Sequence, residues 1–185
     1  MLILGVDEVG RGCLAGPVVA CACLLREGFE SSEIVDSKKL LEKKRKFLSE
    51  YIKENCLEYS FGVVCNILID KINILNATKQ AMHIAISKIK NKYDKIVIDA
   101  VKLKNLSVVS ESIIKAEDKY ISVAAASILA KVYRDDFMKK LHIQFPEYGW
   151  YNNKGYGSKE HIKAIKEYGI TFLHRRSFLS EIVKG

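Results

Sequence analysis

Apolar residues fill the runs at 2–8 (LILGVDE) and 17–25 (PVVACACLL), with Gly10, Gly12 and Gly16 between them. Runs this short predict buried strands, and a short turn between two strands makes them antiparallel neighbours. In residues 36–54 (DSKKLLEKKRKFLSEYIKE), Leu40, Leu41, Phe47, Leu48, Tyr51 and Ile52 recur at the spacing of one helical face, which predicts a helix. A third strand is predicted over 57–65 and a second amphipathic helix over 74–92, with Leu75, Ala81, Met82, Ala85, Ile86 and Ile89 on one side. KIVIDA (95–100) is a short apolar strand that ends at Asp99, and 111–116 forms a last strand. The longest helix spans 122–145, with a small alanine face suited to close packing on a sheet. Residues 146–158 (PEYGWYNNKGYGS) give a loop, 159–168 a short helix, and LHRRSF a basic tail. Three strands followed by alternating helix and strand predict a mixed sheet with helices on its faces, an α/β domain.

Length and composition fit that reading. The 185 residues suit one structural unit, a core over 1–145 with an extension over 146–185. A hydrophobic fraction of 49% with only two prolines supplies a real core. The charge is unevenly spread: residues 1–101 carry 15 basic and 13 acidic side chains, and residues 102–185 carry 15 and 9. A basic second half suits a polyanionic partner such as nucleic acid, and also plain solubility. The five cysteines include no C-x-x-C pair, and Cys21 and Cys23 share one strand face as small buried thiols. The expectation is a reduced, cytoplasmic, monomeric chain, and no apolar run has the length of a membrane span.

The opening strand places two carboxylates, Asp7 and Glu8, side by side ahead of Gly10-Arg11-Gly12. Strands disfavour Asp, adjacent carboxylates repel, and a regular strand points the two to opposite faces. GRGCLA (10–15) matches a loose dinucleotide-binding pattern, but that pattern requires a following helix, and a strand follows here. Asp99 ends a second apolar strand and could lie beside Asp7. Carboxylates on neighbouring strand ends suit Mg²⁺ or Mn²⁺; equally, aspartates often just end strands and begin turns. Lys38 and Lys39 fall in the first turn of the predicted 36–54 helix, where cations oppose the dipole by about 0.3–1 kcal/mol each unless an anion binds. The alternative is an ordinary solvated basic face. Tyr148, Trp150, Tyr151 and Tyr156 alternate with Gly and Lys in the 146–158 loop. They suit either stacking on sugars and bases or a hydrophobic cover. His83, His142, His161 and His174 lack metal-ligand spacing, and no nucleophile motif is present.

Taken in order, GVDEVGRG, DSKKL, NILNAT (73–78), VIDA, AAASILAKVYRD (124–135), NKGYGS (153–158) and RRSF (175–178) resemble the motifs of the type 2 ribonucleases H. The likeness runs from about residue 3 to 178. It implies a ribonuclease H-like fold, a mixed five-stranded sheet flanked by helices with a helical C-terminal extension. The implied activity is cleavage of RNA paired with DNA and incision at single ribonucleotides in DNA, leaving 5′-phosphate and 3′-hydroxyl ends, with Mg²⁺ or Mn²⁺ as cofactor. Carried over by residue, Asp7, Glu8 and Asp99 are metal-binding carboxylates. Gly10, Arg11 and Gly12 resemble the loop that meets the ribose 2′-hydroxyl. Tyr156 resembles the tyrosine packed on the next deoxyribose, and Lys38 and Lys39 meet phosphates. The family aspartate seven residues before the A/S-A-A-S block falls on Glu117, the residue favoured as fourth carboxylate. A one-residue deletion would install Asp118 instead. Cys13 stands where proline is common, and Ala100 where glycine often follows the aspartate.

Overall fold

The computed structural model describes residues 1–183. Five strands form one sheet: β1 (Ile3–Val9), β2 (Val18–Leu25), β3 (Cys56–Val64), β4 (Lys95–Asp99) and β5 (Ser110–Ile113), in the order β3-β2-β1-β4-β5. The first three are antiparallel in succession, while β4 and β5 run parallel to β1. This is the mixed five-stranded sheet that the sequence predicts.

Strand alternation divides the core into two layers. On one face, Leu4, Val6, Ala20, Ala22 and Leu24 pack with Ala77, Ala81, Met82 and Ala85 of α3 (Ile74–Ser87). On the other, Cys21 and Cys23 meet Leu48 and Ile52 of α1 (Glu42–Asn55) and the alanine-rich face of α4 (Ile121–Gln144). Each fully buried Leu or Ile contributes about 1.5–3 kcal/mol. The small residues let α4 lie directly on β1: a Cβ at Gly5 would come 2.2 Å from the Ser122 carbonyl carbon. That contact fixes where α4 presents Ser127 and Lys131 relative to the end of β1.

Several element boundaries differ from the sequence reading. The helix predicted over 36–54 is interrupted. Asp36 accepts the Lys38 N–H at 3.0 Å, Ser37–Lys39 form a 3-10 turn, Leu40 and Leu41 are extended, and α1 starts only at Glu42. Lys38 and Lys39 are therefore outside the first turn of α1, and its dipole does not act on them. A helix absent from the prediction, α2 (Asn66–Ile72), precedes α3, and Asn73 at φ 67° separates the two. α3 stops at Ser87, short of 92, because the Glu58 carboxylate captures the Lys90 and Asn91 N–H groups at 2.9 Å. β5 ends at Ile113, after which Ala116–Asp118 form a 3-10 turn. The predicted 146–158 loop contains a 3-10 turn (Pro146–Tyr148) and the short α5 (Trp150–Asn153), followed by α6 (Lys159–Tyr168) as expected.

Tyr148 and Trp150 are buried with Leu14, Ala15 and Met138, so they cover a core layer. Tyr151 and Tyr156 stay partly exposed, which leaves only these two of the four aromatics open to a ligand. The backbone joins this layer to the glycine-rich turn: the Leu14 N–H donates to Gly155 O at 2.8 Å, and the Arg175 N–H to Leu14 O at 2.8 Å.

Candidate active site

The parallel pairing of β1 and β4 ends at Val6 opposite Ile98, so one further step sets Asp7 beside Asp99 at the ends of adjacent strands. Asp7 is 7% exposed. Its Oδ1 accepts the Glu8 N–H at 2.7 Å, and the Ser127 hydroxyl of α4, paired with Ser37 Oγ at 2.9 Å, lies near enough to favour its ionised form. Burial, then the charges of Glu8 and Asp99, push the Asp7 carboxyl well above the usual carboxylate range. Glu8 is raised as well, by burial and then by Asp99, against the pull of Arg11. Asp7 and Glu8 alternate along the strand, yet both reach one groove because it lies at the strand's end and wraps around it.

Asp99 accepts the Ala116 N–H at 3.0 Å, which draws the 3-10 turn of Ala116–Asp118 against the carboxylates. That turn separates its two acidic residues. Glu117 faces Asp99; burial and then the Asp99 charge raise its carboxyl. Asp118 instead binds Lys39 Nζ at 2.6 Å in an exposed pair that lowers its carboxyl. Glu8 Oε2 and Glu117 Oε2 are buried with no hydrogen-bond partner.

Those two orphaned oxygens, among carboxylates already raised by burial and mutual repulsion, are what a hard divalent cation would satisfy. The donor set therefore fits Mg²⁺ or Mn²⁺. Among the described residues, no three His, Cys, Asp or Glu side chains close on a common point as a preformed cage.

The glycine-arginine turn follows directly. Gly10 sits at φ 89°, and a Cβ there would lie 2.2 Å from Arg134 Nε, so both conformation and space demand glycine. A Cβ at Gly12 would meet nothing within 4 Å, so the protein alone does not require glycine there. Two buried arginines hold the chain from Gly10 to Pro17 by its carbonyls, Arg175 at the turn itself and Arg134 just beyond it. Arg175 donates to Gly10 O at 2.6 Å, Arg11 O at 2.8 Å and Gly16 O at 3.0 Å. Arg134 donates to Pro17 O at 2.8 Å, Ala15 O at 3.0 Å and Lys154 O at 2.7 Å. The Arg11 side chain is more than two-fifths exposed and touches Glu8 only loosely, at 3.5 Å.

Together these elements line a groove of about 450 Å³ whose walls include Asp7, Glu8, Gly10, Arg11, Gly12, Lys38, Ser127, Lys131 and Tyr156. Lys131 Nζ lies 5.5 Å from the centroid of the Tyr156 ring, and burial pushes the Tyr156 phenol up to about 12. Of the residues singled out from the sequence, Asp99 and Glu117 lie outside the groove lining: Asp99 acts on Asp7 and Glu8 through its charge, Glu117 neighbours Asp99, and Lys39 is turned away to Asp118. Sequence reasoning assigned no role to Arg134, Arg175, Ser127 or Lys131. The available signal was Arg134, a cation within the alanine-rich helix, and Arg175 in the basic tail.

The family model described as Ribonuclease HII matches residues 4–181. A ribonuclease HII from Oceanobacillus iheyensis is 52% identical over 176 residues, covering 95% of this chain and 67% of that protein. The ribonuclease H2 of Pyrococcus horikoshii, a solved structure, superposes with a TM-score of 0.83 at 26% identity, covering 100% of this chain and 96% of that one. A Bst-RNase HIII solved in complex with Mn²⁺ superposes at 0.75 with 20% identity, covering 100% of this chain and 68% of that one, and shares the fold. The matched span takes in both strand-end carboxylates, the glycine-arginine turn and the extension that braces it, and the chain belongs to the ribonuclease HII family.

Proposed function

We propose that this ribonuclease H, whose family cleaves the RNA of RNA–DNA hybrids, also incises DNA duplexes at single embedded ribonucleotides, leaving 5′-phosphate and 3′-hydroxyl ends. The observation that carries the reading is the gathering of Asp7, Glu8, Asp99 and Glu117 with two unsatisfied oxygens, next to a backbone turn of Gly10-Arg11-Gly12.

Asp7, Glu8 and Asp99 would hold Mg²⁺ or Mn²⁺, and Glu117 would complete the set. When bound, a pair of such ions supplies an activated water and charge stabilisation for the leaving oxygen. Ser127, beside Asp7, favours its ionised, metal-binding form. The braced turn offers peptide groups to a ribose 2′-hydroxyl, the feature that separates RNA from DNA. Gly12, with open space at its Cβ position, leaves room for a sugar to approach the backbone. Lys38, on the groove wall, suits a phosphate contact; Lys39 would first have to leave Asp118. Tyr156, across the groove, is suited to pack on the deoxyribose beyond the ribonucleotide. Phosphate contacts supply most of the binding, and the turn and the ring supply the discrimination.

The test is a DNA duplex carrying one ribonucleotide, incubated with and without divalent metal. The expected result is a single metal-dependent cut at the ribonucleotide, with Tyr156→Ala slowing single-turnover cleavage far more than it weakens duplex binding. Cleavage confined to long hybrids would overturn the embedded-ribonucleotide reading. Full rate in Tyr156→Ala would make that ring loop packing.

A further inference from the structure

The Tyr156 ring faces the groove, but its main chain is held from behind. The Tyr156 carbonyl accepts two hydrogen bonds, from the Ser158 N–H at 2.9 Å and from His161 Nδ1 at 2.9 Å. Resting on the reading of Tyr156 as the sugar-contacting side chain, we propose that His161 is a positioning residue for Tyr156, locked by Trp150 and His174 into the one tautomer that can hold this carbonyl.

The tautomers follow from groups that can only donate. The indole Nε1–H of Trp150 points at His161 Nε2 at 3.0 Å, so that nitrogen carries no proton and the His161 proton sits on Nδ1, facing Tyr156 O. The Thr171 N–H points at His174 Nδ1 at 3.0 Å, so the His174 proton sits on Nε2. From there it points at His161 Nε2, 3.2 Å away, which shares its lone pair between His174 and Trp150. Trp150 thus fixes the tautomer of His161, Thr171 that of His174, and the contact between the two rings fits both.

His161 and Trp150 are 0% exposed and His174 1%. Burial lowers His161 below its ordinary value, and burial with the neighbouring ring brings His174 down to about 4. Both rings are therefore neutral at pH 7, as the hydrogen-bond pattern requires. The chain is anchored at its far end too, because the Asn66 side chain of α2 donates to Phe172 O at 2.8 Å and His174 O at 3.1 Å.

An apolar core of the same volume would avoid the desolvation of three polar rings. What this network adds is a fixed donor aimed at the carbonyl of the groove residue. It also adjoins the rest of the site: Arg175, next to His174, holds Gly10 O and Arg11 O. One buried layer therefore sets the separation between the glycine-arginine turn and Tyr156.

The test uses the intact enzyme and two readouts. Histidine ring ¹⁵N NMR of the wild type should report His161 as the Nδ1–H form and His174 as the Nε2–H form at pH 7. An Nε2–H form of His161, or a charged ring, overturns the proposal. The second readout compares His161→Asn, whose amide can donate from the Nδ1 position, with His161→Gln, whose amide reaches only the Nε2 position. Single-turnover cleavage at one ribonucleotide should stay within about threefold of wild type in His161→Asn and fall at least tenfold in His161→Gln, with duplex binding equal in both. Equal rates, or the reverse order, would show that the ring only fills space. Wild-type rate in Tyr156→Ala would overturn the sugar-contact reading instead, and the ring tautomers would still report on the hydrogen bond itself.

Discussion

Two buried polar clusters lie within this chain, and they are built on opposite principles. At the ends of β1 and β4, acidic groups crowd one another: Asp7, Glu8 and Glu117 are raised by burial and by neighbouring carboxylates, and two oxygens lack partners. In the C-terminal layer, Arg134, Arg175, Trp150, His161 and His174 are just as buried, yet each of their polar side-chain atoms finds a partner. A polar network completed within the protein rigidifies; one left incomplete is a place where a ligand supplies the missing charge. On the proposed function, the first cluster is the machinery, and the second is the frame that holds the turn and the tyrosine against it.

The most severe way to break this contrast is to remove a carboxylate. Asp7→Asn should abolish cleavage of hybrids while the fold survives. Because the Asp7 carboxyl is raised in the folded state, its ionised form opposes folding above its unfolded value. Without divalent metal, the variant should therefore melt at the same temperature as wild type or up to about 4 °C higher, the shift expected for about 1 kcal/mol in a chain of this size. A variant that melts well below wild type would show the carboxylate to be structural.

The matched cluster should respond in the opposite sense. Arg134→Met takes the guanidinium donor from three buried carbonyls, leaving Lys154 O only a weak thiol partner, and should cost about 3–5 kcal/mol, read as a drop in melting temperature or denaturant midpoint. A loss below about 1 kcal/mol would deny Arg134 its bracing role.

Acid sharpens the comparison. His174 is lowered from 6.5 to about 4, so it is neutral in the folded chain where the unfolded chain binds a proton. Its contribution is complete above the unfolded value and is lost as the pH falls from about 6.5 to about 4. The size is on the order of 3 kcal/mol. The raised carboxylates act against this loss, since they favour the folded state as they take up protons. Acid unfolding followed in wild type and His174→Asn should show a shallower loss over that window in the variant; parallel curves would remove His174 as the cause.

The smallest effect concerns the strand end itself. Ala100 follows Asp99 at φ 51°, a left-handed conformation that costs an L-residue about 1–2 kcal/mol, part of which a glycine's extra unfolded-state freedom would offset. Ala100→Gly should raise the melting temperature by about 1–3 °C with cleavage unchanged; a lower melting temperature would show that the strain is absent.

Much of this was legible in the chain. The first four strands were readable because their apolar runs are short and flanked by glycine or charge, and α4 because its small residues cluster between Ser122 and Ala130 ahead of a long uninterrupted helical stretch. The 36–54 helix was misread because Leu40 and Leu41 happen to continue the helical spacing, whereas Asp36 and Ser37 find partners that hold the chain in a tighter turn. The second of those partners, Ser127, is 90 residues away. The separation of Lys38 from Lys39 was equally hidden, because neighbours in a 3-10 turn point in different directions; between Glu117 and Asp118 only the family resemblance favoured Glu117, and the structure turns Asp118 to Lys39.

Local pattern, a property of nearest neighbours along the chain, determined the strands, most helices and the candidate carboxylates. Only the tertiary structure decided that Asp7 and Asp99 stand side by side, that two buried arginines hold the chain between Gly10 and Pro17, and that Trp150 and Thr171 fix the tautomers of two histidines. Each of those outcomes depends on groups brought together from distant parts of the chain, on burial that makes an unpaired charge or donor costly, and on hydrogen-bond directions that exist only once the layers have packed.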